Sequence, residues 1–348
     1  VTTTICRLHS KGDLRVEEIA SPPLEAGDVA VEIARGGICG SDLHYFQHGG
    51  FGPVRVKEPI ILGHEIAGVV KSVAPGVTAV EPGDKVAVNP SQPCNDCHFC
   101  TREEYQHCLN MRFLGSARTF PHVQGGFRSI LPVQASQCVK VSAHTDIAHA
   151  ACAEPLAVCL HAANQAGDLA GKRVLVTGAG PIGALCVAVA KARGASNIVV
   201  TDLVDFTLSN ASKMGATHCI NIATSADLMD AFRSPEQQFD VVFECSGAEA
   251  AIAMAIEFVR PRGTLVQVGV AGSLNIPINA IVGKEVSLKG THRFHPEFAD
   301  AVRMIDEGVI DVAPMITQVF PVEQAHEAFA TTLDRNKSIK VQLSFQSV

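Results

Sequence analysis

Arg173-Val-Leu-Val-Thr-Gly-Ala-Gly-Pro-Ile-Gly183 is the stretch on which the fold turns. Arg173–Thr177 is a short β-branched, apolar run, the pattern of a buried strand. Gly178-Ala-Gly-Pro-Ile-Gly183 is G-x-G-x-x-G, and Ile182–Arg193 continues as a helix closed by Gly194. Strand, glycine turn and helix in that order form the phosphate-cradling turn of a dinucleotide site. The glycines allow the tight bend and close backbone approach, and the helix N-terminus supplies N–H donors. Gly178, Gly180, Pro181, Ile182 and Gly183 are therefore candidate cofactor contacts. Asp202 stands nineteen residues past Gly183, after the strand Ile198–Thr201. A carboxylate there accepts from ribose hydroxyls and repels a 2′-phosphate, and Leu203–Leu208 contains no lysine or arginine. NAD is expected rather than NADP.

Downstream, strand candidates recur at Thr217–Ile222, Asp240–Glu244, Thr264–Val268 and Glu285–Lys289. Six strands alternating with helices predict a doubly wound, six-stranded parallel sheet of Rossmann type. Ser246-Gly247 and Val268-Gly269 end two of those strands, so Ser246, Val268 and Gly269 are expected to face the cofactor. Upstream, Asp28–Ala34 alternates with period two, and frequent Gly and Pro turns mark an irregular, mostly β portion. After about Thr291 come two helical segments, Pro296–Glu307 and Val322–Thr332, then a last strand near Lys340–Leu343. The expected division is 1–155 together with 291–348 as one domain and 156–290 as the dinucleotide-binding domain.

Cys94, Cys97, Cys100 and Cys108 are spaced C-x2-C-x2-C-x7-C. Four close thiolates make a closed tetrahedral set, the donor pattern of structural zinc. An iron–sulfur cluster of the ferredoxin kind has a different last spacing. A second, dispersed set consists of Cys39 in a glycine-rich stretch, His64-Glu65 after Pro59-Ile-Ile-Leu62, and Glu154 before Pro155. Such ligands suit a metal in a crevice between domains. Cys138, Cys159, Cys186 and Cys219 sit in apolar runs and read as inert core residues, with Cys159 the one kept as a metal neighbour.

In order, Gly36–His44, Gly63-His64-Glu65, the cysteine lobe, Glu154-Pro-Leu156 and Gly178–Gly183 resemble the zinc-dependent medium-chain dehydrogenases. Arg293-Phe294 after Lys289-Gly-Thr-His292 is similar to the polyol branch of that family. The resemblance implies a GroES-like catalytic domain beside the Rossmann domain. It implies a catalytic zinc on Cys39, His64 and Glu65, with Glu154 bound directly or through water, and a second, structural zinc. Ser41 and His44 are implied as a proton chain, although His44 also suits a cofactor phosphate. Met111–Ala117 and Phe120–Phe127 are similar to the sugar-acid dehydrogenases of the branch, implying reversible oxidation of L-idonate to 5-keto-D-gluconate. Sorbitol or xylitol is the alternative substrate, and a non-catalytic nucleotide-binding protein the more distant one. An aldonate needs a cation: Arg293, which also suits the cofactor, then Arg118 and His122, with Arg55 and Arg112 behind them. Phe294 stands where many sorbitol dehydrogenases carry tyrosine. Family members are dimers or tetramers, so a homotetramer or homodimer is expected.

The 348 residues are 47% hydrophobic and carry net charge −7. That supports folded cores and disfavours nucleic acid or an anionic membrane as partner. Twelve cysteines without a leader-like N-terminus point to reduced thiols and a cytoplasmic setting.

Overall fold

The computed structural model describes residues 2–270 and 272–346, so Val1 and Val348, the ends of the expected domain division, lie outside the described residues. Arg173–Thr177 is a strand and Pro181–Ala192 a helix, with Gly180 as N-cap and Pro181 in the first turn, where a missing N–H costs nothing. Six parallel strands follow one another in space as third, second, first, fourth, fifth and sixth in chain order, from His218–Asn221 at one edge to Ser287–Gly290 at the other. The order reverses between Arg173–Thr177 and Phe239–Glu244. The glycine turn therefore sits at the topological switch point, where open α/β sheets bind ligands.

A second sheet of seven strands is built around Asp28–Gly37. Glu65–Val73 and Ile130–Gln134 pair with it antiparallel, and the late strand Lys340–Ser344 pairs with it from the far end of the chain. Gly37 lies opposite both Glu65 and Gln342. A Cβ on Gly37 would stand 2.2 Å from Glu65 Oε2, so glycine there is what admits the carboxylate.

Two helices carry residues of the metal-ligand set. Gly40–His48 begins directly after Cys39, and Ala153–Ala166 carries Glu154 in its first turn. The second helix contains the expected domain boundary at 155/156, which thus divides a continuous element. Its side chains are buried on nearly every face, because it packs on Pro181–Ala192 and on Glu297–Asp306. That hides the 3.6-residue period by which a surface helix is recognised.

His161 Nδ1 lies 2.8 Å from Glu297 Oε1 between these helices, and Asn164 Nδ2 donates to the same oxygen at 2.9 Å. Burial alone would raise the Glu297 pKa, yet the His161 bond, with Asn164, holds it down to about 2 from the usual 4.5. A depressed folded pKa contributes stability that is complete above the unfolded value and lost as pH falls through the folded one. Glu297→Gln is expected to lower stability by about 2 kcal/mol at pH 7. Its deficit against wild type should shrink as pH falls from about 4.5 toward about 2, read by denaturant titration.

Candidate active site

Cys39 is the N-cap of Gly40–His48, and His64-Glu65 lies at the start of the strand Glu65–Val73. The potential ligand atoms of Cys39, His64 and Glu65 all lie within 4.8 Å of one another. His64 and Glu65 are 5% and 1% exposed, while Cys39 is half-buried. Burial, followed by the negative charge of Glu65, pushes the Cys39 thiol up to about 11. Burial, with Glu65 and Cys39 adding like charge, pushes Glu154 up to about 8. His64 Nδ1 is buried without a hydrogen-bond partner. A thiol, an imidazole and carboxylates crowded together, with a ring nitrogen left unpaired, fit a bound dication, which reverses that repulsion.

Two residues that sequence reading missed hold the set in place. Asp42, wholly buried, accepts from Cys39 N at 3.0 Å and from Gly63 N at 3.3 Å. Its Oδ1 lies 3.8 Å from His64 Nδ1, so one carboxylate fixes the backbone at Cys39 and at Gly63, next to His64, and faces the His64 ring. Lys340, 2% exposed, donates from Nζ to Glu65 Oε1 at 2.7 Å and to Ile38 O at 3.1 Å, and lies 2.7 Å from Oε2 as an ion pair. A buried lysine in an apolar strand was the available sign for Lys340. For Asp42 it was an acidic residue three positions after a capping cysteine.

Ser41 adjoins the Cys39 sulfur and favours its thiolate. His44, one turn further along the helix, is exposed and packs its ring 4.8 Å from Phe51. Arg293 has left-handed backbone, φ 51°, and its guanidinium lies 3.9 Å above the Phe113 ring, which in turn adjoins His64 at 5.6 Å. Glu154 and Arg118 are among the charges it feels. Among the described residues Arg293 makes no ion pair or side-chain hydrogen bond. Arg118 is exposed nearby.

Two expected substrate contacts are placed elsewhere. Phe294 is fully buried and stacks on Phe298 at 5.8 Å, in the core rather than on a cleft wall. His122 spends both ring nitrogens on backbone, with Nε2 accepting from Lys57 N at 2.8 Å and Nδ1 lying 2.7 Å from Thr119 O. It lines a separate cavity with Arg112, away from the trio. Arg55 lies beside His44 at another hollow.

A cleft of about 340 Å³ joins the two sheets' sites, with Cys39, Glu65 and Lys340 on one side and Gly180–Gly183 and Cys245 on the other. A Cβ on Gly183 would fall 1.8 Å from Gly178 O, so the turn requires glycine there. A Cβ on Gly180 would meet nothing within 4 Å, which leaves its face open for a pyrophosphate. Glu244, wholly buried at the end of its strand, accepts from Ser246 N, Gly247 N and Gln267 Nε2, and its carbonyl accepts from Val268 N and Gly269 N. Ser246, Val268 and Gly269 are thereby gathered at the strand ends.

Asp202 accepts from Ala179 N at 2.6 Å, which ties it to the glycine turn. Arg335 Nη2 also bonds its two oxygens, at 2.9 and 2.6 Å. Leu203–Leu208 brings no lysine or arginine of its own; Arg335 arrives from 133 residues away.

In the cysteine lobe the Sγ–Sγ separations are 3.5 Å for Cys94–Cys108 and 4.0 Å for both Cys94–Cys100 and Cys97–Cys108. Metal–sulfur bonds of about 2.3 Å in a tetrahedron give edges of about 3.8 Å, so the lobe fits one zinc. Backbone N–H groups of Leu109 and Cys100 draw the Cys97 thiol down to about 6, toward the thiolate that binds metal.

These features define a zinc-binding, nucleotide-dependent dehydrogenase. The alcohol dehydrogenase GroES-like domain profile matches residues 25–143, and the zinc-binding dehydrogenase profile matches residues 181–307. The chain belongs to the zinc-dependent medium-chain dehydrogenases, in their polyol branch. It is 43% identical to L-idonate 5-dehydrogenase (NAD(P)(+)) of Escherichia coli K12, across 90% of this chain and 91% of that one. The crystal structure of the Escherichia coli L-idonate 5-dehydrogenase superposes with a TM-score of 0.95 at 41% identity, covering 99% of each chain. Human sorbitol dehydrogenase is 35% identical over 97% of this chain and 94% of its own. No helix among the described residues is long and apolar enough to cross a membrane.

Proposed function

We propose that this protein oxidises L-idonate reversibly to 5-keto-D-gluconate with NAD. The observation that carries the reading is Arg293, a cation that forms no ion pair among the described residues, beside the Cys39, His64 and Glu65 set. A guanidinium there receives a substrate carboxylate in two parallel hydrogen bonds, which a neutral polyol cannot exploit. Likeness to the Escherichia coli L-idonate enzyme supports the same substrate.

Zinc, when bound, would supply a Lewis acid for the secondary alcohol, and the nicotinamide cofactor a hydride acceptor. Cys39, His64 and Glu65 would hold the metal, with Glu154 bound directly or through water, while Asp42 and Lys340 fix their positions. Ser41 Oγ accepts the hydroxyl proton as it gives its own to the His44 imidazole, on the same helix, which releases a proton to solvent. Gly178–Gly183 seat the pyrophosphate and Asp202 receives ribose hydroxyls. The ends of the chain, 1–155 and 291–348, form the catalytic domain, supported by the pairing of Lys340–Ser344 with Asp28–Gly37. Ser287–Gly290 is an exposed edge strand, which supports a homodimer or homotetramer built through it. Twelve free cysteines suit the reducing cytoplasm.

The test compares L-idonate, sorbitol, xylitol and D-gluconate by absorbance of reduced cofactor. L-Idonate is expected to give the highest kcat/KM, and Arg293→Ala to lose about 100-fold on L-idonate while sparing any sorbitol activity. A wild-type preference for sorbitol or xylitol overturns the aldonate reading.

A further inference from the structure

Three cysteines outside both metal sets converge behind the glycine turn. Cys245 directly follows the strand Phe239–Glu244, Cys186 lies on the helix Pro181–Ala192, and Cys159 on the helix Ala153–Ala166. Cys245 Sγ is 3.8 Å from Cys186 Sγ, and Cys159 Sγ donates to Ile182 O at 3.4 Å. Cys245 also borders the cleft that holds Gly180–Gly183, whereas Cys186 is 1% exposed. An inner sulfur is thus reached from the cofactor cleft through an outer one.

We propose that Cys245 and Cys186 form a peroxide-sensitive dithiol whose oxidation to a disulfide weakens cofactor binding. It rests on the cleft being the dinucleotide site.

The environment separates the two thiols. Hydrogen bonds from the Cys159 and Cys245 thiols draw Cys186 down to about 5, while Cys245 is raised by its bond to Cys186 and by burial. The pair is asymmetric: the Cys245 thiol donates to the Cys186 sulfur, which favours thiolate on Cys186 and keeps the proton on Cys245. Hydrogen peroxide entering the cleft meets Cys245 first. As the Cys245 sulfur attacks one peroxide oxygen, its proton passes to Cys186. The O–O bond breaks, Cys245 becomes a sulfenic acid, and the departing hydroxide takes the proton back from Cys186 as water. The Cys186 thiolate then attacks the Cys245 sulfur and expels hydroxide, closing the disulfide. Two electrons leave the sulfurs and reduce one peroxide, and one water and one hydroxide are released.

Closing the bond shortens 3.8 Å to about 2.05 Å. Cys245 is thereby drawn toward the helix that the cofactor phosphates cap. Its neighbours are the residues against which the glycine turn is packed: a Cβ on Gly178 would lie 3.0 Å from Ser246 N, and one on Gly269 would lie 2.3 Å from Gly247 N. With so little clearance, movement of the Cys245–Gly247 segment displaces the phosphate cradle.

The experiment treats the zinc-loaded enzyme with hydrogen peroxide, then maps disulfides by mass spectrometry of proteolytic peptides. KM for NAD and zinc release to a chelating dye are followed in parallel. A linked Cys186–Cys245 peptide pair is expected, with KM for NAD raised about fivefold, restored by dithiothreitol and slowed by prior NAD. Cys186→Ser should form no link and show no peroxide-dependent rise in KM. Cys245→Ser serves the same purpose should the first variant not fold. Loss of NAD affinity without the linked peptide overturns the proposal, as does an equal peroxide response in Cys186→Ser. Failure of the untreated enzyme to bind NAD by fluorescence titration instead overturns the reading of the cleft.

Discussion

His64→Ala is expected to reduce kcat by at least about 1,000-fold and to lower zinc from about two ions per chain to about one. The imidazole is one of three close donors, and losing it leaves Cys39 and Glu65 too few to retain the metal against water. The lobe of Cys94, Cys97, Cys100 and Cys108 shares no residue with that set, so its ion should remain. Cys97→Ser is the contrasting variant. It also loses one zinc, but its effect should appear as a melting temperature lower by about 10 °C or more, because a closed site contributes folding energy. Zinc analysis, steady-state kinetics and calorimetry on both variants decide the matter. A His64→Ala enzyme with two zincs and ordinary turnover would refute the assignment, and so would a Cys97→Ser enzyme with unchanged stability.

The second large effect concerns the coenzyme. Asp202→Asn is expected to raise kcat/KM for NADP relative to NAD by about 30-fold, about 2 kcal/mol. The aspartate now engages Arg335 through both oxygens and accepts from Ala179 N. Asparagine keeps an acceptor for the backbone bond while removing the charge that repels a 2′-phosphate and releasing the arginine to bind it. The double variant Asp202→Asn with Arg335→Ala should lose most of the gain. If the single variant kept the wild-type NAD preference, or the double variant matched the single one, Arg335 would have no part in the selectivity.

The difference between what was and was not readable in the chain follows sequence distance. The glycine turn and the cysteine lobe each lie within about fifteen residues, so their spacing carries the chemistry directly. The parallel strands were readable because buried strands are continuous apolar runs. Cys39, His64 and Glu65 were readable by resemblance more than by spacing. Lys340 and Arg335 meet their partners across 275 and 133 residues, where no local pattern predicts the contact. Phe294 was misplaced for a related reason. Its neighbour Arg293 does turn toward the site, but the left-handed backbone at that arginine sends the next ring into the core against Phe298. The helix Ala153–Ala166 escaped because burial on nearly all sides erased its period.

Lys340 also sets an order of events during biosynthesis. The four lobe cysteines span residues 94–108, so they can close on a metal once that short loop has left the ribosome. Glu65, by contrast, gains its buried counter-ion only when the strand Lys340–Ser344 has been made and has docked beside Asp28–Gly37. A nascent chain acquires its structural ion early and finishes its catalytic centre last, so partly made molecules are metal-bearing yet inert.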